Sequence, residues 1–434
     1  MVYIASFNGL IYNQNKIFKL DEVTTPPYDI ISEDMQKKFY DKHPQNFVRL
    51  ILGKQYPDDN ENNNRYTRAK ETYDEWINAS ILIKSNKSAI YPYKIEYKTN
   101  NQIKTMSGFF ALLKLDSEYK YVKAHERTLS KPKADRLDLL RACKTNFEPI
   151  QLLYIDDKDN IKKKIDENIN NLIADVNGYD NFNHKLWEIN DEKIISEIKN
   201  EFKSKILFIA DGHHRYQTAI NYAKEVKEKT ENFDENASFN YIMVVLVNIF
   251  DKGLSIFPTH RLINKLDLDF NLILKKLDEY FIIKEHKVNS QVKNSLDISK
   301  KIKEDLKTNT EHKFIMYIKD RYYVLTLKDE QIMDRFASNH SKTWRTLDVS
   351  ILHKIIFEYI MGINQDNIEN HVKYTRVDEE AISLVDNGKY NLSFLMNATK
   401  INELKTIAEA GEHMPQKSTY FLPKMLSGLV MYNM

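Results

Sequence analysis

Between Ile206 and Tyr222 a short apolar run meets Asp211-Gly212-His213-His214-Arg215, after which Tyr216, Ala219, Ile220 and Ala223 recur at helical spacing. A carboxylate, two imidazoles and a guanidinium packed together can serve anion or proton chemistry. The pattern around them predicts a strand, a tight turn and a helix. Gly212 permits the sharp turn, and the amides at the helix start, at the positive end of its dipole, favour an anion. Arg215 adds a planar fork suited to phosphate or carboxylate. Asp211 can equally do no more than cap that helix, with both histidines packing against neighbours.

A second cluster follows the aromatic run Tyr119 to Val122, which has strand composition: His125-Glu126-Arg127-Thr128, then Lys133, Asp135 and Arg136. Cationic neighbours favour the ionised form of Glu126, which suits a proton acceptor or a magnesium ligand. The same residues also suit a surface ion-pair network ahead of a helix beginning near Asp135. Thr24 to Asp29 reads as a rigid turn, and Asn46 to Leu50 places Arg49 in a strand-like segment. Pro258-Thr259-His260-Arg261 follows another strand. Met414-Pro415-Gln416-Lys417-Ser418-Thr419-Tyr420 sets a cation beside two hydroxyls, with Lys424 shortly after. Separate segments rich in His, Arg, Lys and Thr, in a chain whose formal charge is only +2, point to convergence on one anionic ligand.

The elements that must position these residues can be read from periodicity. Ala89 to Tyr97, Gly108 to Leu115, Ile206 to Ala210, Tyr241 to Val247, Lys313 to Ile318 and Tyr322 to Leu327 have strand length and composition. Arg65 to Ala79, Ile194 to Phe202, Tyr216 to Lys227, Leu268 to Phe281, Asp348 to Met361 and Lys400 to Ala410 have helical spacing. Strands interleaved with helices predict an α/β, mixed α+β architecture with mixed sheets. At 434 residues the chain exceeds a single core. Charge-rich stretches at 53–65, 156–171 and 284–313 serve as boundaries, so three lobes are expected: 1–155 with the His-Glu-Arg-Thr segment, 156–283 with the Asp-Gly-His-His-Arg turn, and 284–434 with the Met-Pro-Gln-Lys-Ser-Thr segment.

Composition excludes much. Ten glycines, ten prolines and 12% aromatic residues rule out collagenous or disordered chains. The near-neutral charge argues against nucleic-acid and membrane partners. One cysteine, Cys143, allows neither an internal disulfide nor a cysteine metal cluster. With no signal-peptide pattern from Met1 to Phe18, a cytoplasmic location is expected. The chain has no Walker loop, GxGxxG, HExxH, kinase catalytic loop or nucleophile elbow. A transition-metal site on His213, His214 and His125 stays open as an alternative.

Taken in order, Pro26-Pro27-Tyr28-Asp29-Ile30-Ile31-Ser32, the segment His43 to Leu50, His125-Glu126-Arg127-Thr128 with Pro132 to Leu137, Asp211 to Arg215, Pro258 to Arg261 and Met414 to Phe421 resemble a large bacterial and archaeal family. It is catalogued as domain of unknown function one-zero-one-five. The strand, Asp-Gly-His-His-Arg turn and helix also resemble the phosphate-binding box of the ParB/sulfiredoxin superfamily. The box holds no cysteine, unlike that of sulfiredoxins, and no basic recognition helix accompanies it, unlike partition proteins. Its form looks most like that of free-serine kinases.

That resemblance implies a ParB/sulfiredoxin-like phosphate-binding core and phosphoryl transfer between ATP or ADP, with Mg2+, and free L-serine or O-phosphoserine, in either direction, within serine metabolism. Gly212, His213, His214 and Arg215 would hold nucleotide phosphates. Glu126, Asp211 and His214 are the candidate catalytic residues, with Glu126 as base and Asp211 as magnesium ligand. His125, Arg127, Thr128, Lys133, Arg136, Thr259, His260, Arg261, Lys417, Ser418 and Thr419 would contact substrate. A nucleotide-binding regulatory protein without serine chemistry and a phosphoserine phosphatase are the alternatives, and a homodimer is the assembly to test for.

Overall fold

The structure, a computed structural model, describes residues 1–99, 102–125, 130–230, 234–264, 269–288, 294–308 and 310–434. It is a mixed α/β protein. The described chain divides into two compact units. One takes residues 1–124, 130–255 and Phe421–Met434; the other takes His125 and Ile256–Tyr420. Of the charge-rich stretches, 156–171 lies inside the first unit, while Lys284 falls within a strand of the second.

The first unit carries a nine-stranded sheet among the described residues. Its strands are β1 (Ile4–Ala5), β2 (Tyr91–Thr99), β3 (Gln102–Lys114), β4 (Val122–Lys123), β5 (Ile150–Tyr154), β6 (Asn171–Asn177), β7 (Asn183–Glu188), β8 (Leu207–Asp211) and β9 (Tyr241–Asn248). They lie in the order β4-β8-β5-β9-β3-β2-β7-β6, with β1 pairing β3. The sheet is mixed: β8 runs parallel to β4 and β9 parallel to β5, while β8–β5 and β9–β3 are antiparallel. β5 and β9 are almost continuously apolar and buried, as expected for strands covered on both faces.

Helices α1 (Arg65–Asn78), α2 (Ser130–Cys143), α3 (Glu192–Phe202) and α4 (His213–Glu228) belong to this unit. α1 starts where the Asn64 side chain accepts from the Tyr66 and Thr67 amides while Thr67 reaches back to Asn64, a reciprocal cap. Its Ala69, Tyr73 and Trp76, spaced three and four apart, fill a core with Phe47 and Phe147. Ile195, Ile198 and Phe202 of α3 join Phe109, Leu152 and Leu246 of the sheet in a second core.

Three local expectations are corrected. Asn46 to Leu50 is not a strand: Val48–Ile51 is helical, because the Asn46 side chain accepts from the Val48 amide at 3.1 Å and starts a turn that overrides local β-propensity. Of Tyr119 to Val122 only Val122 enters a strand, since Tyr119 sits at positive φ in a turn after Asp116. The helix expected near Asp135 begins at Ser130.

In the second unit β10 (His260–Ile263), β11 (Phe281–Lys287), β12 (Lys313–Ile318), β13 (Arg321–Leu327), β14 (Val372–Thr375) and β15 (Leu392–Met396) form a sheet in the order β11-β13-β12-β15-β10-β14. All its described pairings are antiparallel. Helices Ser295–Leu306 and Asp378–Asp386 cover it through Ile298, Ile302, Ala381 and Ile382. The chain over Leu352–Ile360 winds as a π-helix. Among the described residues no helix is long and apolar enough to cross a membrane.

Candidate functional site

Apolar Leu207 to Ala210 make β8 a buried strand, and its pairing with β5 shifts register between Ile209 and Asp211. Asp211 therefore ends the strand beside the turn. Gly212 follows with φ +93°, a left-handed conformation that any side chain would strain. A Cβ there would also come within 3.1–3.2 Å of the Arg215 guanidinium, so any larger residue would press on Arg215 where it folds back over the turn. α4 then starts at His213 with no side-chain cap. Asp211 is accordingly not the helix cap; it is an ion-pair partner.

Both carboxylate oxygens of Asp211 are engaged. Oδ2 accepts from Arg215 Nη2 at 2.7 Å, and Oδ1 accepts from Lys424 Nζ at 2.6 Å. Burial alone would raise this carboxyl, but Lys424 and Arg215 outweigh it and hold the group well below the usual carboxylate range. Arg215 donates its other nitrogen to the Pro149 carbonyl. Burial works against its charge, and Asp211 and Glu148 more than restore it.

Glu148 is the centre of the next layer. It is buried; its Oε1 accepts from the Tyr28 amide at 3.0 Å and the Ser427 hydroxyl at 3.1 Å, and its Oε2 lies 3.8 Å from Arg136 Nη1. Burial pushes its carboxyl up, against the pull of Arg215 and Arg136. Arg136 donates to the Ile51 carbonyl and to Asp135, and its guanidinium lies 4.0 Å over the Tyr28 ring. Asp135 also accepts from Arg65 and the Tyr66 hydroxyl. Burial would raise Asp135, but Arg136, Tyr66 and Arg65 bring it below its ordinary value.

Cations and carboxylates alternate here. Lys424 and Arg215 share the carboxylate of Asp211, while Glu148 and Asp29 also act on the charge of Arg215. Two small cavities flank Arg215. One of about 50 Å³ is lined by Arg136, Glu148 and Thr218; the other, about 10 Å³ or room for one water, is lined by Asp211, Lys424 and Ser427.

Of the residues singled out in the sequence, Asp211, Gly212, His213, His214, Arg215, Lys133 and Arg136 share the first unit. Arg136, Glu148 and Arg215 line one small cavity, and the Lys133 carbonyl accepts from Thr218 of α4. His213 is buried and His214 half-buried at the helix start. Glu126, Arg127 and Thr128 lie outside the described residues. Among the described residues no group of His, Cys, Asp and Glu is placed to hold a metal ion. Each Asp211 oxygen accepts from one cation, Oδ2 from Arg215 and Oδ1 from Lys424.

The remaining candidates gather in the second unit. His125 Nε2 lies 2.9 Å from Thr419 Oγ1, and the His125 carbonyl accepts from the Met414 amide. Arg261, buried, donates to the Thr259 and Lys417 carbonyls. Ser418 donates to the Pro415 carbonyl. His260 Nε2 lies 3.2 Å from Asp378, which Lys303 also pairs. Lys417 is exposed at positive φ.

Glu148 and Lys424 are the partners that sequence reasoning did not place at this turn: Lys424 was noted only as a cation following the Met-Pro-Gln-Lys-Ser-Thr segment, and Glu148 was not singled out. The available signal for Glu148 was its place directly before Pro149, which forces extended backbone at the head of a buried strand. A carboxylate there must find buried partners.

Over residues 4–350 the sequence matches the family described as "Protein of unknown function (DUF1015)". The chain belongs to this family. No curated protein matches it. Among solved structures, a free serine kinase variant in complex with AMP is similar with a TM-score of 0.37 at 12% identity, covering 74% of this chain and 92% of its own. A conserved hypothetical protein from Pyrococcus furiosus gives 0.35 at 13%, covering 74% and 95%. C-terminally truncated SbnI from Staphylococcus aureus gives 0.34 at 11%, covering 71% and 83%.

Proposed function

We propose that this family member is a phosphotransferase that moves a phosphoryl group between a nucleotide and the hydroxyl of free L-serine, in the kinase direction or its reverse. The observation that carries the reading is the turn between β8 and α4, where Lys424 and Arg215 share one carboxylate at the uncapped start of a helix. Phosphoryl transfer is mainly positioning and charge stabilisation, and helix start, guanidinium and ammonium together suit that task. The Asp-Gly-His-His-Arg resemblance to free-serine kinases supplies the substrate.

In this mechanism Arg215 and Lys424 bind phosphate oxygens, and Asp211 holds both cations in place. Asp211 is held well below the usual carboxylate range by Lys424 and Arg215, which makes it a weak base. The serine oxygen forms a bond to the transferring phosphorus as the bond to the nucleotide's bridging oxygen breaks. Glu126 is the carboxylate that the resemblance assigns to take the hydroxyl proton.

Phosphorus NMR of the protein with magnesium, run with serine plus ATP or ADP and with phosphoserine with and without ADP or AMP, tests the reading. A phosphoserine signal that appears or disappears only with nucleotide supports it. Phosphate release without nucleotide, or unchanged spectra, removes it. Glu126→Gln should spare nucleotide binding and stop transfer.

A further inference from the structure

The second unit contains a cavity of about 430 Å³, a size in the range of small-molecule sites. We infer that it is a separate binding site for an uncharged heterocycle with a hydrogen-bonding edge, of nucleoside size. It shares no residue with the Asp211 turn.

The walls combine the groups such a ligand needs. Asn339 and Gln416 line the cavity. Each side-chain amide offers a donor and an acceptor side by side, the pattern that pairs with the edge of a heterocyclic base. Ile363, Met414 and Pro415 supply apolar surface for a ring face.

Two histidines lie on the same wall. His340 stacks on Trp344 with ring centroids 3.8 Å apart and planes 12° from parallel. Its Nδ1 lies 3.1 Å from Glu412 Oε1, which also accepts the Ser341 amide. Burial raises the Glu412 carboxyl, but its bonds from Ser341 and His340 bring it below its ordinary value. An ionised carboxylate can only accept, so His340 donates from Nδ1. His353 is 8% exposed and lines the same cavity, and its Nε2 has no hydrogen-bond partner among the described residues. Burial, with Arg261 and Lys354, holds it well below the usual histidine range, so it is a neutral imidazole with hydrogen-bonding capacity to spare. It sits on the π-helix, an uncommon geometry concentrated at functional positions.

Charge selects against a phosphate here. Lys354 is neutralised by Glu358 at 2.6 Å, and Asp366, also on the wall, has no ion pair among the described residues. The neutral histidine adds no positive charge, so an anion would meet a wall biased towards negative. An uncharged ring with donors and acceptors meets no such penalty.

The test is calorimetric titration of the full chain with adenosine, guanosine, cytidine and uridine, alongside imidazole nitrogen NMR, with inorganic phosphate as the contrasting probe. At least one nucleoside should bind with a submillimolar Kd and shift the His353 ring signals, while phosphate leaves them unmoved. His353→Phe and Asn339→Trp should each weaken that binding at least tenfold. Asn339 is exposed, so the tryptophan fills the cavity without burdening folding. Arg215→Ala, in the other unit, should leave nucleoside binding within twofold. Absence of any nucleoside shift at His353, phosphate moving its signals, or undiminished binding in Asn339→Trp would overturn the inference. Loss in Arg215→Ala alone would assign the binding to the Asp211 turn instead.

Discussion

Lys424→Met removes one of the two cations on Asp211 while keeping most of the side-chain volume. The Nζ to Oδ1 distance is 2.6 Å, and the lysine side chain is only 6% exposed. Removing one partner of a buried ion pair destabilises by about 3–5 kcal/mol. Arg215 remains at 2.7 Å, so the expected loss is at the lower end, about 3 kcal/mol. The second effect is on phosphate affinity. A hydrogen bond to a charged group contributes about 1.5–3 kcal/mol, which corresponds to roughly tenfold to a hundredfold in Kd at about 1.4 kcal/mol per decade. Urea unfolding gives the first quantity, and calorimetric titration with ADP, below the unfolding transition of both proteins, gives the second. Lys424→Arg should recover most of the affinity, since a guanidinium can reach both Asp211 and a phosphate. A Lys424→Met protein that unfolds earlier yet binds ADP as tightly as the parent would refute the reasoning. Lys424 would then serve Asp211 and no ligand.

Further predictions concern the same unit. In Glu148→Gln the amide oxygen can still accept from Tyr28 and Ser427, while the buried charge is gone. Because the folded carboxyl titrates above its unfolded value, its contribution to stability is present below about pH 4.3 and is lost as pH rises through the folded pKa. The variant should therefore gain on the parent between pH 4 and 8, by on the order of 1 kcal/mol for each unit of upward displacement; urea midpoints that stay parallel across that range would contradict this. Gly212→Ala should destabilise by about 1–2 kcal/mol from the left-handed backbone alone and should also weaken ADP binding, because the new methyl presses on Arg215. An unchanged melting temperature would speak against the turn geometry. Cys143 is buried, and burial pushes its thiol up to about 12; native protein should resist an aromatic disulfide reagent at pH 8 and react only as it unfolds, so fast native labelling would place Cys143 elsewhere.

The strands and helices with strong periodicity were legible in the sequence. Tyr241 to Val247 became β9 (Tyr241–Asn248) and Lys313 to Ile318 became β12, because long apolar runs bounded by polar residues have few other ways to bury themselves. Errors fell where one side chain redirects the backbone: Asn46 starts a helical turn in a segment of β-formers, and Tyr119 takes a positive φ in a turn. The helix-rich stretch Asp348 to Met361 was visible as helix, but not as a π-helix, since a change from four to five residues between hydrogen-bond partners hardly alters apolar spacing.

For the candidate site the division is similar. Strand, glycine turn and helix around Asp211 to Arg215 are local, written in an apolar run, a residue free to take positive φ and a helical repeat, so the sequence by itself determined them and the presence of Arg215 beside Asp211. The tertiary structure alone decided what that carboxylate does. Lys424, 213 residues away, reaches Asp211, and Glu148 faces Arg215 from the start of β5. Those partners depend on which strands lie beside β8 and on the register between them. Many distant residues jointly set that arrangement through burial, and no short window of sequence encodes it.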